Sequence, residues 1–181
     1  MLHRVHAVFI DRDGTIGGSD QVEYPGQMTF YPGVKESIQL LKQHGVRIFS
    51  FTNQPGVARG EVEEKDFVTE LSVIGFDQVY LCPHEHNAGC TCRKPSIGML
   101  EKAVNEYHID LHKSIVIGDR WTDLMAAQEA GCKKILVRTG AGEVALTKYH
   151  NNEYYGKWGE VSPDFIAKDF VEAVHWIIQN G

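Results

Sequence analysis

Short apolar segments alternate along the chain with amphipathic ones. Apolar runs of about five residues are typical of buried strands, and apolar side chains spaced three and four apart predict helices between them. The predicted strands are 5–10, 46–51, 78–82, 114–118 and 134–138. The predicted helices begin near 33, 62, 95, 121 and 169 and end near 45, 72, 107, 130 and 179. This alternation predicts an α/β fold with a doubly wound parallel sheet.

Two stretches lack this periodicity. Residues 14–33 are rich in Gly, Asp, Ser and Pro and are predicted to form a long loop. The pattern weakens again beyond Thr139, and residues 147–162 are expected to form an irregular surface loop. We find no internal repeat and no linker, so 1–181 is interpreted as a single domain.

Composition narrows the classes of partner. The chain has 181 residues, 43% of them apolar, and a net charge of -6 without a basic block. This charge argues against a nucleic-acid partner but not against a small phosphorylated ligand. Residues 1–6 lack a signal-peptide pattern, and no apolar run is long enough to span a membrane. A cytoplasmic protein is therefore expected.

Polar residues follow the predicted strands or open a helix at four places. They are Asp11 with Asp13, Thr52-Asn53-Gln54, Arg93-Lys94, and Asp119 with Asp123. Groups that follow parallel strands meet at the carboxyl edge of the sheet. A capped helix or a solvated loop would explain one such cluster alone, but all four together predict a phosphoryl-transfer site.

Each of these side chains has a chemical role in that hypothesis. Asp11 is the candidate nucleophile, because a carboxylate can attack phosphorus and form an aspartyl phosphate. Asp13 is placed to protonate the leaving oxygen and then to activate water. Thr52 and Lys94 would hold the phosphoryl oxygens.

Carboxylate oxygens also suit Mg²⁺. Asp119, Asp11 and the backbone carbonyl of Asp13 would ligate the cation, and Asp123 would support that metal shell from the first turn of a helix.

The order of these motifs resembles the haloacid dehalogenase superfamily of phosphatases. The resemblance is carried by Asp11-Arg12-Asp13-Gly14-Thr15, Thr52, Lys94-Pro95 and Gly118-Asp119-x-x-x-Asp123, and it extends from about Val8 to Arg138. It implies a Rossmann-like core, dependence on Mg²⁺ and the aspartyl-phosphate route. No large insertion precedes the cysteine-rich segment, so no large cap domain is expected and the site should be fairly open.

Three of the four cysteines lie within eleven residues. Cys82, His84, Cys90 and Cys92 have the spacing C-x-H-x₅-C-x-C and predict a closed, structural Zn²⁺ site. His86 is a competing ligand that is more simply a surface residue. A disulfide between Cys90 and Cys92 would close a strained ring and is disfavoured.

This segment resembles the zinc-containing branch of heptose-bisphosphate and histidinol-phosphate phosphatases. The resemblance implies a small phosphorylated substrate, a sugar phosphate in the leading hypothesis and histidinol phosphate in the alternative. We expect Asn53, Gln54, Arg93 and Arg120 to contact it, with residues 17–31 setting specificity.

The sequence favours a monomer. An inactive zinc-stabilised binding module is the alternative of another class, although the intact acidic residues and Lys94 argue against it. The net negative charge of the chain argues against a DNA-end phosphatase.

Overall fold

Seven parallel strands form two sheets in this computed structural model, which describes residues 5–19 and 21–181. The strands are β1 (Ala7–Ile10), β2 (Arg47–Ser50), β3 (Thr52–Asn53), β4 (Leu81–Cys82), β5 (Ser114–Gly118), β6 (Lys133–Val137) and β7 (Phe165–Ala167). The main sheet has the order β2-β1-β5-β6-β7, and β3 pairs with β4. The predicted parallel α/β sheet is therefore confirmed.

Helices cover both faces of the main sheet. They are α1 (Val34–Gln43), α2 (Glu64–Ile74), α3 (Gly98–Tyr107), α4 (Trp121–Ala130), α5 (Gly142–His150) and α6 (Phe170–Asn180). Two single 3₁₀ turns are Leu111–Lys113 and Gly156–Trp158. Across the described ranges, every helix is too short or too polar to traverse a lipid bilayer.

The alternation of side chains along β1 divides the core between the two faces. All four residues of β1 are buried. Val8 and Ile10 contribute to a cluster with apolar residues of α1 and α6, whereas Ala7 and Phe9 contribute to a second cluster with residues of α3 and α4. Burial on both faces explains why this strand is a continuous apolar run.

The region after residue 139 differs from the prediction. Residues 147–150, expected to lie in an irregular loop, form the last turn of α5, and the short strand β7 was not predicted. Helix α5 buries only Gly142, Ala145 and Leu146, so its apolar periodicity is weak. Strand β7 has three residues and lies at the edge of the sheet, where little apolar sequence is required.

The central pair of strands determines where polar side chains collect. Strands β1 and β5 are neighbours in parallel register, with Ile10 opposite Ile117. The next residue of β1 is Asp11, whose N–H donates to the Ile117 carbonyl at 3.0 Å. Asp119 follows the end of β5. The register therefore brings Asp11 and Asp119 to one edge of the sheet.

Candidate active site

Three carboxylates lie buried together at this edge. Asp11, Asp119 and Asp123 are at most 5% exposed, and each offers an oxygen within 4.8 Å of the others. The Thr15 hydroxyl lies 3.4 Å from Asp11 Oδ2 and 3.4 Å from Asp119 Oδ1. The structure thus brings together the acidic residues that the sequence singled out, and it adds Thr15 between two of them.

The electrostatics of this cluster favour a cation. Burial, and then the neighbouring Asp11 carboxylate, raise the pKa of Asp119 to about 9. Burial also raises the pKa of Asp123 to about 6, although Lys94 opposes that shift. Buried carboxylates that repel one another in this way form a hard-oxygen donor set that fits a divalent cation such as Mg²⁺.

Lys94 contacts two of these three carboxylates. Its Nζ lies 3.0 Å from Asp11 Oδ1 and 2.5 Å from Asp123 Oδ1, and it donates to the Phe51 carbonyl. Burial lowers the pKa of Lys94, but Asp11 and Asp123 outweigh this effect and raise it. Asn53 Oδ1 accepts the Lys94 backbone N–H at 3.1 Å. Lys94 is thus a buried, charged group held against Asp11.

Asp13 lies at the mouth of the site, with its side chain 44% exposed. Its Oδ1 accepts from Arg12 at 2.8 Å, and its Oδ2 accepts from Gln54 Nε2 at 2.6 Å. Gln54 Nε2 also lies 2.9 Å from Thr52 Oγ1. Burial raises the pKa of Asp13, against the lowering effect of Arg12. A raised pKa suits a carboxyl group that must donate a proton near neutral pH.

A glycine-rich turn after β6 closes the site, and the sequence analysis missed it. Thr139 Oγ1 donates to the Gly14 carbonyl at 2.7 Å, and the Ala141 N–H donates to Asp119 Oδ2 at 2.8 Å. A side chain at Gly14 or Gly140 would meet Asp119 Oδ2 at 2.2 or 2.3 Å. The signal that could have found this turn is the sequence Thr-Gly-Ala-Gly directly after a strand.

The two arginines expected to contact the substrate are placed differently. Arg93 precedes Lys94, and its Nη1 is buried without a hydrogen-bond partner within the described ranges. Arg120 is exposed, and its backbone N–H donates to Asp123 Oδ2 at 3.1 Å. The substrate contacts proposed for Asn53, Gln54, Arg93 and Arg120 remain predictions.

Sulfur and nitrogen atoms converge beside the carboxylate site. The Cys82 sulfur lies 3.0 Å from that of Cys92, 3.7 Å from that of Cys90 and 3.5 Å from His84 Nδ1. Bonds of 2.0–2.3 Å to one tetrahedral ion would separate such atoms by about 3.5–3.8 Å. The distances from Cys82 to Cys90 and His84 lie in this range, and the Cys82 and Cys92 sulfurs are closer together than an ion between them would hold them. All four cysteines are free thiols, so the disulfide alternative is not what the structure shows. The donor set fits a closed zinc site.

Ion pairs connect the loops around the mouth. Arg59 donates to Glu61 at 2.8 Å and to Glu85 of the cysteine-rich segment at 3.1 Å. The Tyr24 hydroxyl, from the loop after β1, donates to the same Glu61. The loop after β1, the segment after β3 and the cysteine-rich segment are therefore joined through Arg59 and Glu61.

Comparison with known proteins gives one consistent result. Residues 19–131 match the family described as haloacid dehalogenase-like hydrolase, and residues 91–173 match a second family of hydrolases of this type. The D-glycero-beta-D-manno-heptose-1,7-bisphosphate 7-phosphatase of Haemophilus ducreyi is 33% identical, over 94% of this chain and 97% of its own length. The enzyme of that name from Vibrio cholerae is 39% identical, over 74% of this chain and 82% of its own length.

Comparison with solved structures indicates the same kind of protein. The crystal structure of D,D-heptose 1,7-bisphosphate phosphatase from B. bronchiseptica, complexed with magnesium and phosphate, has a TM-score of 0.81 and 29% sequence identity. The match covers 98% of this chain and 100% of that chain. Sequence, fold and the cluster of acidic residues around Lys94 agree, and this chain belongs to the haloacid dehalogenase-like hydrolases as one of their phosphatases, a phosphoric monoester hydrolase.

Proposed function

We propose that this protein is a Mg²⁺-dependent phosphatase that acts through an aspartyl phosphate on Asp11. The observation that carries the proposal is the contact of Lys94 Nζ with Asp11 Oδ1 at 3.0 Å inside a buried cluster of carboxylates. A buried cation beside a carboxylate offsets the repulsion between that carboxylate and an anionic phosphate ester. Mg²⁺, held by Asp11, Asp119 and the Asp13 carbonyl with Asp123 behind them, would neutralise further charge on the phosphoryl group.

The chain's own residues carry the proton and the phosphoryl group. An Asp11 oxygen attacks phosphorus, and the bond from phosphorus to the leaving oxygen breaks with its electron pair on that oxygen. The leaving oxygen takes the proton of the Asp13 carboxyl. In the second half, the Asp13 carboxylate accepts a proton from water as the water oxygen attacks phosphorus. Phosphate leaves, and Asp11 becomes a free carboxylate again.

We propose D-glycero-D-manno-heptose 1,7-bisphosphate, cleaved at its 7-phosphate, as the substrate. The support is that the relatives and the B. bronchiseptica structure carry the name of that enzyme and align over most of the chain. Histidinol phosphate is the competing substrate. The ratio of kcat/KM for the two compounds, measured with Mg²⁺ present, decides between them.

We further propose that Cys82, His84, Cys90 and Cys92 hold a structural Zn²⁺. A closed set of three sulfurs and one nitrogen leaves no ligand position for substrate, so zinc would order the loop and position Arg93 and Lys94.

Substitution of Asp11 by Asn tests the mechanism. The carboxamide is a poor nucleophile, so we expect kcat to fall by at least about 10³-fold, the order expected for loss of a catalytic nucleophile. Rapid acid quench of the wild type, followed by mass spectrometry, should show a phosphate adduct on the peptide that contains Asp11. A folded Asp11→Asn protein that kept full activity would contradict the proposal.

A further inference from the structure

Arg12 has the largest side chain among those fully buried in the described chain, and it lies between the two aspartates of the motif. A guanidinium group removed from water costs several kcal/mol unless carboxylates and hydrogen bonds compensate it. The sequence pattern predicts no role for Arg12. The groups that form hydrogen bonds with Arg12 therefore indicate the role of its buried charge.

Helix α2 supplies most of that compensation. Arg12 Nε and Nη2 each donate to a different oxygen of Glu70 at 2.9 Å, which is the bidentate geometry of a strong arginine–carboxylate pair. The guanidinium carbon lies 5.0 Å from the centre of the Phe67 ring, one turn earlier on the helix. The Glu70 side chain is only 12% exposed. Glu70 and Phe67 together fix both the plane and the position of the guanidinium group.

Because Glu70 holds Nε and Nη2, the position of the third nitrogen of the guanidinium group, Nη1, is also fixed. Arg12 Nη1 donates to Asp13 Oδ1 at 2.8 Å and to the Glu23 carbonyl at 2.8 Å. Asp13 is half exposed, so without these bonds its carboxyl group would sample several orientations at the mouth of the site. Gln54 holds the second Asp13 oxygen. The hydrogen bonds from Arg12 and Gln54 therefore hold the Asp13 carboxyl group in one orientation.

We propose that Arg12 and Glu70 form a positioning pair that holds the Asp13 carboxyl group in place for proton transfer to the leaving oxygen. This inference rests on the proposed function, in which Asp13 is the proton donor. Neither residue touches the phosphoryl group. In the first half-reaction, which kcat/KM reports, their removal should therefore affect only substrates whose leaving oxygen needs a proton, whereas the second half-reaction, in which Asp13 activates water, is common to all substrates.

The double substitution Arg12→Met with Glu70→Met tests the proposal. Removing one partner would leave a buried charge alone, whereas replacing both by apolar side chains of similar length is often neutral for stability. The substrates are p-nitrophenyl phosphate, whose phenolate leaves without a proton, and the better of heptose 1,7-bisphosphate and histidinol phosphate, which are alkyl esters. We expect kcat/KM for the alkyl ester to fall about 10- to 100-fold, part of the contribution of a general acid.

For p-nitrophenyl phosphate we expect kcat/KM to change by at most about threefold, because its leaving group needs no proton and the pair does not hold the phosphoryl group. Glu70→Gln, which keeps one acceptor for Arg12, should show a smaller loss of the same selective kind and serves if the double variant does not fold. Lys134→Met is the matched control, since it breaks a partly buried pair with Asp164 at the start of β6. It should leave the ratio of the two activities unchanged.

Two results would overturn the positioning role. One is an equal loss of kcat/KM on both esters in the double variant, which would mark the pair as merely structural. The other is no loss of kcat/KM on either ester. An Asp13→Asn protein whose kcat/KM fell equally for both esters would instead overturn the proton-donor role in the proposed function, and the positioning role with it.

Discussion

Burial determines how much each ion pair contributes to this protein. Lys94 and Asp11 lie 3.0 Å apart with side chains 4% and 7% exposed. Lys65 and Glu63 lie 2.8 Å apart, yet their side chains are 74% and 68% exposed. Water and salt screen the second pair almost completely, whereas Asp11 and Asp123 have little solvent to replace Lys94.

The pair of substitutions Lys94→Met and Lys65→Met tests this difference. Lys94→Met leaves two buried carboxylates without their cation, so we expect the free energy of unfolding to fall by roughly 3–5 kcal/mol. Lys65→Met should leave it nearly unchanged. Urea unfolding of both variants without Mg²⁺ measures the effect, and similar losses for the two would contradict the argument.

Glycine is required at position 14 because there is no room for a side chain, and not only because of the backbone conformation. Gly14 and Gly26 both have left-handed backbones, at φ values of 81° and 89°. A side chain at Gly14 would collide with Asp119, whereas a side chain at Gly26 would meet nothing within 4 Å.

We therefore expect Gly14→Ala to lower kcat/KM about 100-fold, the order expected when a group at a catalytic site is displaced by about 1 Å. The affinity for Mg²⁺ should fall as well, because Asp119 is displaced. Gly26→Ala has the same backbone strain, about 1–2 kcal/mol, and serves as the control. Calorimetric titration with Mg²⁺ and steady-state kinetics compare the two. Equal activity in both variants would mean that the contact with Asp119 is unimportant.

The residues that the sequence identified and those it missed differ in a physical way. Asp11, Thr52 and Asp119 lie at strand ends, and the edge rule for parallel sheets brings such residues together without further information. Thr15 and Arg12 act through partners that lie 104 and 58 residues away, and no periodic pattern records such pairs.

At the scale of elements, the cysteine-rich segment has little regular structure of its own. It follows β4, a strand of two residues, and α3 begins only at Gly98. Backbone hydrogen bonds attach it at three points, from Gln54 N–H to the Cys82 carbonyl, from Ala58 N–H to the Pro83 carbonyl and from Gly98 N–H to the Thr91 carbonyl. The proposed zinc ion would therefore add much of the order of this segment.

Cys90→Ser tests the proposed zinc. Metal analysis of the wild type should find about one zinc ion per chain, and the variant should lose it together with several degrees of thermal stability. Cys132→Ala is the control, because this buried thiol lies in the core cluster beside α4 and should retain the metal. Wild-type protein purified without chelators and found free of zinc would contradict the proposal.

The strand and helix pattern predicted most elements to within three residues at each end, because burial on both faces of the sheet requires continuous apolar runs such as Phe9 and its neighbours. It failed for β3, which has only two residues, and for α5 and β7. Helix α5 packs on β6 and buries few side chains, and β7 is a three-residue edge strand, so the apolar signal of both is weak.

At the scale of the whole molecule, the carboxylate cluster makes stability depend on pH and on Mg²⁺. The pKa values of Asp119 and Asp123 are raised to about 9 and about 6, above their ordinary value of 3.8. The folded protein therefore holds protons that the unfolded chain has released. Without Mg²⁺, these groups make the folded state less stable as pH rises from about 4 toward 9.

The proposed Mg²⁺ would bind the ionised carboxylates, so its stabilising effect should grow as pH rises. We expect 10 mM Mg²⁺ to raise Tm by a few degrees more at pH 8 than at pH 6, as linkage between ligand binding and folding requires. Removal of Mg²⁺ by gel filtration without chelator leaves the cysteine-rich segment undisturbed. The Asp119→Asn protein should lose most of this difference. An equal rise in Tm at both pH values would count against proton release from the cluster.

The position of β1 between β2 and β5 also affects how the chain folds as it emerges from the ribosome. Strand β2 follows β1 within about 40 residues, but β5, the partner on its other side, ends at Gly118. At a synthesis rate of 5–20 residues per second, an apolar edge of β1 remains unpaired for roughly 3–14 s after β2 is complete. Chaperones that shield apolar strands would therefore act during this interval, before β5 has brought Asp119 next to Asp11.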